Sequence, residues 1–325
     1  MKKILSIFSV SFALIFSSSA FANTIGVVYD SGGKFDKSFN ELAFNTAERV
    51  VDELGWGMIE FESANDNQIE QGMRKIADRG ATMIVGMGFA QADAIGAVAA
   101  DYPDIKFVAV DVCWLDDPNN NIYQACYKEH EGSFLVGMMA AMASKSGTIG
   151  FVGGMDIPLI RKFQGGYEQG AQYVNPDITV LANMTGTTNE AWNNPTKGAE
   201  LTKAQIDGGA DVVYQAAGGT GIGVLQAAAD AGIMGIGVDS NQNWMHPGTM
   251  LTSMLKRLDL TIFEQAKNVE SGRFESGINI LGLSEGMLGY ATEDGMVTSE
   301  MAAAADAAAA DIASGALVVA DWSQE

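Results

Sequence analysis

The stretch TIGVVYDSGGKFDKSFNEL, residues 24–42, carries the reading of the fold. An apolar run, TIGVV, gives way to a loop with acids at Asp30 and Asp36 and paired glycines at Gly32 and Gly33. SFNELAF then takes up helical spacing, so the order is strand, loop, helix. The unit recurs. TIGVV at 24–28 answers to TIGFV at 148–152, RGATMIV at 79–85 to GGADVVY at 208–214, and FVAVD ending at Asp111 to GIGVD ending at Asp239. The offsets are 124, 129 and 128, in order along the chain, and they imply two similar lobes.

Runs such as TMIVGM and KFVAVDV are continuously apolar, while SFNELAFNTAERVVDEL and NQIEQGMRKIADRG have helical periodicity. Continuous apolar strands separated by helices predict parallel sheets covered on both faces. The fold class expected is therefore α/β, with two doubly wound parallel-sheet lobes. Such sheets bind ligands outside the carboxyl ends of their strands, and two facing lobes turn those ends toward one cleft.

Residues 1–22 stand apart. A basic start, Met1-Lys2-Lys3, an apolar run ILSIFSVSFALIF and the small-x-small Ala20-Phe21-Ala22 read as a secretory signal peptide. Cleavage is expected near Ala22, with no Cys there to carry a lipid, leaving a soluble periplasmic chain. The whole chain is 47% apolar, enough for two cores without a membrane span. Its net charge of −21 becomes −23 once Lys2 and Lys3 are lost, which argues against a nucleic-acid partner.

The strand ends supply the candidate site. Asp30 lies just past the first strand, with Phe39 and Asn40 in the first turn of the following helix, on the cleft side. Asp30 and Asp36 can equally serve as turn and cap residues, with Phe39 stapling the helix to the core. Asp111 and Asp239, related by the repeat, each close an apolar strand and offer a carboxylate to the same gap. Carboxylates accept hydrogen bonds only, so a facing pair suits neighbouring hydroxyls, as on a sugar or ribose. Lys256 is the candidate cation to relieve their repulsion, or else an exposed helix lysine.

Other motifs carry less. Gly219, Gly221 and Gly223 in AAGGTGIGVLQAAADAG match neither a dinucleotide nor a phosphate-loop pattern, and the loop with Gly219 reads either as a backbone-donor loop touching a neutral ligand or as a plain strand-to-helix turn, helix-start donors suiting an anion as well. Trp192, among turn formers, either stacks on a planar ligand or plugs its own lobe. DDPNNN at 116–121 lacks calcium-loop spacing and reads as a surface turn. Cys113 and Cys126 either pair, as an oxidising compartment favours, or stay as buried thiols. With only His130 and His246, neither a metal site nor a nucleophile, base and orienter can be assembled, so no cofactor, metal or catalytic role is expected.

The motifs DSGGKFDKSFNE, EGSFLVGMMAAMASKSGTIGFVGGMDIPLIRKFQGGYEQGAQ, GVDSNQ and LTSMLKRLD together resemble the basic membrane protein family, substrate-binding proteins of ABC importers that include bacterial purine nucleoside receptors. The likeness spans the mature chain. It implies a type I periplasmic binding fold with a three-stranded hinge, an ABC permease as partner, a monomer and no enzymatic activity. The lobes would comprise 23–128 plus about 252–282, and 129–251 plus about 283–325. It further implies that Asp30 and Asn40 hold a base, Phe39 stacks on it, and Asp111, Asp239 and Lys256 hold ribose hydroxyls. Trp192 stands where the family usually has a second stacking Phe. The expected ligand is a nucleoside, a purine one first; a sugar or another small polar or aromatic solute is the alternative, and a secreted glycoside- or nucleoside-acting enzyme or a sensor subunit is less favoured.

Overall fold

The computed structural model describes residues 23–63 and 65–324, and the signal-peptide reading of 1–22 lies outside them. The first sheet contains β1 (Thr24–Tyr29), β2 (Gly57–Glu62), β3 (Met83–Met87), β4 (Lys106–Val110), β5 (Ile122–Tyr127) and β11 (Gly277–Leu281), in the order β11-β5-β4-β3-β1-β2. The second contains β6 (Thr148–Met155), β7 (Thr179–Gly186), β8 (Val212–Ala216), β9 (Met234–Asp239), β10 (Met250–Lys256) and β12 (Leu288–Tyr290), in the order β12-β10-β9-β8-β6-β7. The two orders superimpose position for position, and the three repeated segments fall on β1 and β6, β3 and β8, β4 and β9. One departure breaks the all-parallel expectation: β12 runs antiparallel to β10, whereas β11 runs parallel to β5.

Helices alternate with these strands: α1 (Phe39–Leu54), α2 (Ile69–Asp78), α3 (Ala92–Asp101), α4 (Glu129–Ala143), α5 (Pro158–Val174), α6 (Pro195–Asp207), α7 (Thr220–Asp230), α8 (Leu258–Glu270) and α9 (Ser299–Ser314). Every residue of β3 and of β8 is buried, the signature of central strands with helices on both faces. The chain passes between lobes at Lys128, at Arg257 and across 282–287. The strand from Met250 to Lys256 belongs wholly to the second sheet, so the second passage lies at Arg257 and not at about 252 as the sequence reading had it. A strand and its lobe cannot be separated within one hydrogen-bonded ladder.

The helix pair α4–α5 is the platform beneath the second lobe's share of the cleft. A side chain at Gly137, Gly166 or Gly170 would collide with the backbone of Tyr167, His130 or Phe134, so the two helices meet backbone to backbone. That contact sets how far Glu129 on α4, and Leu159, Ile160 and Phe163 on α5, reach toward the first lobe. The alanine-rich tract after Glu300 forms α9, capped by the Thr298 side chain accepting from the Met301 N–H, and packs on α4.

Candidate functional site

A cleft lies between the carboxyl ends of the two sheets, with about 530 Å³ of empty space when the solvent at its mouth is counted. Asp30, Phe39, Asp111, Trp192, Asp239 and Lys256 all line it, so six residues from both lobes converge. Asn40 and Gly219 do not line it.

Asn40 is fully buried behind Asp30. Its amide nitrogen donates to Oδ1 of Asp30 at 2.5 Å and to Oδ2 of Asp36 at 3.2 Å, while its oxygen accepts from the Asp30 N–H at 3.1 Å. Both amide hydrogens are thus used within the loop, where Asn40 orients Asp30. Gly219 faces the carbonyl of Gly32 across the lobes, and its neighbour Gly218, in the left-handed region at φ 55°, supplies the cleft wall.

Asp30 folds back through the Gly32 N–H onto its Oδ1 at 2.8 Å, a turn typical of aspartate. Asp36 is the true cap of α1, accepting from the N–H groups of Ser38, Asn40 and Glu41 at 2.8, 3.0 and 3.1 Å. Burial pushes its carboxyl up to about 7 against those donors.

Asp111 and Asp239 share an uncommon backbone. Both sit in the left-handed region, at φ 62° and 66°, where a non-glycine residue carries strain. At the ends of β4 and β9 this turn swings each carboxylate off its sheet and into the gap. Lys256, the last residue of β10, places Nζ 2.6 Å from Oδ1 of Asp111 and 3.0 Å from Oε1 of Glu129, with all three side chains buried. Lys162 backs Glu129 at 3.4 Å. Burial pushes Asp111 up to about 6 despite Lys256, with Glu129 and Asp239 adding to the rise. Burial also raises Asp239, against the pull of Lys256 and Ser38. Burial works against both Lys256 and Glu129 as ions; the surrounding carboxylates hold Lys256 well above the ordinary lysine range, and Lys256 with Lys162 hold Glu129 below the usual glutamate range.

The aromatic side of the cleft joins both lobes. Phe39 and Phe89 come from the first, Phe163 and Trp192 from the second. Trp192 lies over Gly154, whose missing side chain makes room for the indole, and its ring meets Phe89 edge-on at 6.4 Å across the cleft. It is therefore at once packed in its own lobe and exposed to the cleft. Phe89, Phe163, Gly218 and Glu129 were not singled out in the sequence. Glu129 had one signal, an acid two residues past a strand end, but Glu131 two residues on competes for it; on the helix they face apart, and Glu131 instead accepts from the Leu283 N–H at 2.8 Å. Cys113 and Cys126 are joined as a disulfide, with Cα atoms 5.8 Å apart. DDPNNN forms a turn in which Asp117 accepts from the N–H groups of Asn121 and Ile122. Among the described residues there is no cluster suited to a metal, and no helix is long and apolar enough to cross a membrane.

Residues 23–321 match the family model described as ABC transporter substrate-binding protein PnrA-like. The chain belongs to this family. It is 32% identical over 272 residues to basic membrane protein A2 of Borrelia garinii subsp. bavariensis, covering 82% of this chain and 79% of that one. It is 30% identical over 316 residues to the ABC transporter nucleoside-binding protein BmpA of Lactococcus lactis subsp. cremoris, covering 90% and 88%. A solved ABC transporter solute-binding protein from Aeropyrum pernix superimposes with a TM-score of 0.82 at 27% identity, over 92% of this chain and 94% of that one. This PnrA-like chain is accordingly a binding protein and not an enzyme, with a small-molecule ligand and a membrane transporter as its partners.

Proposed function

We propose that this PnrA-like protein captures a nucleoside, a purine nucleoside first, between its lobes and delivers it to an ABC permease, as a soluble periplasmic monomer freed by cleavage near Ala22. The observation that carries the reading is the convergence of Asp111, paired with Lys256, and Asp239 from the other lobe in one cleft lined also by aromatic side chains. Two acceptor-only groups and one donor suit the vicinal hydroxyls of a ribose. Phe39 and Trp192 would sandwich the base, and Asp30, braced by Asn40, would accept from its edge. The relative named as nucleoside-binding supports the same reading.

A stack contributes about 1–3 kcal/mol and each charge-assisted hydrogen bond about 1.5–3, offset by desolvation and ordering, so affinity is expected roughly between micromolar and nanomolar. The test is calorimetric titration of protein unfolded and refolded to strip carried-over ligand, with inosine, adenosine, guanosine, uridine and ribose. Tight binding of a purine nucleoside without turnover supports the proposal. Silence toward the nucleosides with binding of ribose or another sugar would overturn it.

A further inference from the structure

We propose that Ser38, a residue of the first lobe, is a positioning residue for Asp239 of the second: its hydroxyl reaches across the cleft and decides which carboxylate oxygen is offered to the ligand. The proposal rests on the nucleoside-capturing reading above. Ser38 immediately precedes α1, is fully buried, and places Oγ 2.9 Å from Oδ2 of Asp239 and 3.0 Å from the carbonyl oxygen of Val238. Its single proton serves those two acceptors. Oδ1 of Asp239 is buried with no hydrogen-bond partner among the described residues, and Asp239 lines the cleft. One oxygen is held and the other is left for an incoming hydroxyl, which relieves the cost of an orphaned buried acceptor.

A serine at this position ordinarily caps its own helix. Here it makes no capping bond, because Asp36 already accepts from the first N–H groups of α1. The hydroxyl is thereby released to point at the other lobe. The preceding residue reinforces the link: Lys37, in the left-handed region at φ 62°, turns its carbonyl to accept from Ser240 Oγ and Gln242 Nε2, both at 3.0 Å. The same turn therefore contacts the second lobe through three side chains, and only one of the three is a cleft carboxylate.

The charged and titratable groups facing Asp239 are Lys256 from β10, Glu129 from α4, Asp30 after β1, Asp111 after β4 and Tyr214 from β8. Lys256 is the one cation in that set, so the Ser38 hydroxyl is the remaining donor holding Asp239 as the acceptor-only carboxylate. Removing it leaves burial and the neighbouring acids less opposed, and Asp239 takes up a proton at higher pH.

The experiment is inosine titration across pH with Ser38→Ala, Ser38→Thr, Ser240→Ala and Asp239→Asn, singly and with S38A combined with D239N. Expected for S38A is a loss of about ten- to a hundredfold in affinity, with the pH below which binding fails moved upward. S38T restores the donor and the profile. S240A, which breaks a neighbouring cross-lobe bond, weakens binding without moving the profile. In the D239N background S38A adds little, since the two residues act through one contact. Should S38A fail to fold, Ser38→Cys, of similar size and a weaker donor, shows the same upward shift. Wild-type affinity in S38A, or a loss with an unmoved profile that adds fully to D239N, overturns the proposal alone. Wild-type protein that binds no nucleoside retires the underlying reading and this proposal with it.

Discussion

Asp111 and Asp239 occupy matching places in the two lobes, at the ends of β4 and β9 and in the same left-handed backbone conformation. Their surroundings differ. Asp111 is held by a cation, Lys256, which belongs to the opposite lobe's sheet. Asp239 is held by a hydroxyl, Ser38, again from the opposite lobe. Duplication placed the two carboxylates symmetrically, but each is completed by a residue from across the cleft, and those residues come from unrelated segments. Any separation of the lobes would therefore leave both acids incomplete, because the groups that tune each one come from the other lobe.

The largest effect tests the shared cation. Replacing Lys256 with Met leaves Asp111, Glu129 and Asp239 buried without it, which should cost about 3–5 kcal/mol in urea unfolding near neutral pH. Binding of nucleosides should suffer more than binding of free bases. A stability cost below about 1 kcal/mol would mean that the acids adapt by taking up protons and that the cation is not what joins the two halves.

Next in size is a difference between the two acids in their dependence on pH. Asp111 rises from 3.8 to about 6 on folding. Across that window the folded chain keeps a proton the unfolded chain has released, so stability falls as pH rises. Asp111→Asn should remove about 2–3 kcal/mol of that fall between about pH 4 and pH 7, read from unfolding free energies at each pH. An identical pH slope in wild type and variant would show that Lys256 neutralises Asp111 more fully than its burial suggests.

The smallest contrast is aromatic. Phe39→Ala and Trp192→Ala each remove one face of the proposed sandwich, and each should weaken nucleoside binding by about 1–3 kcal/mol in calorimetry. Phe39 is the more buried of the two, so its loss should also lower thermal stability, whereas loss of Trp192 should act chiefly on binding. Equal stability losses would place Trp192 in its lobe's core instead.

The duplication, the strand–loop–helix order and the acids at strand ends were legible because each depends on local spacing along the chain. TIGVV and TIGFV fall on equivalent strands, and six of eight candidate residues line the cleft. Two candidates stand just behind the lining: Gly219, from the loop reading, and Asn40, which only the resemblance had promoted. Neighbouring loop and helix positions alternate between facing a cleft and supporting it, which local spacing does not resolve. Gly218 lines the wall where Gly219 was expected, and Asn40 braces Asp30 from behind.

Glu129, Phe163 and the task of Ser38 were beyond local reading. Nothing in KEH or KSF states that the first acid will meet a lysine 127 residues later, or the serine an aspartate 201 residues away. Spacing along the chain therefore determined two α/β lobes and where their carboxylates emerge, since backbone periodicity and turn chemistry act over a few residues. Packing of α4 on α5 and the meeting of the lobes decided which acids gain a cation, which a hydroxyl, and which face the cleft, because charge burial and hydrogen-bond completion depend on groups brought together only in three dimensions.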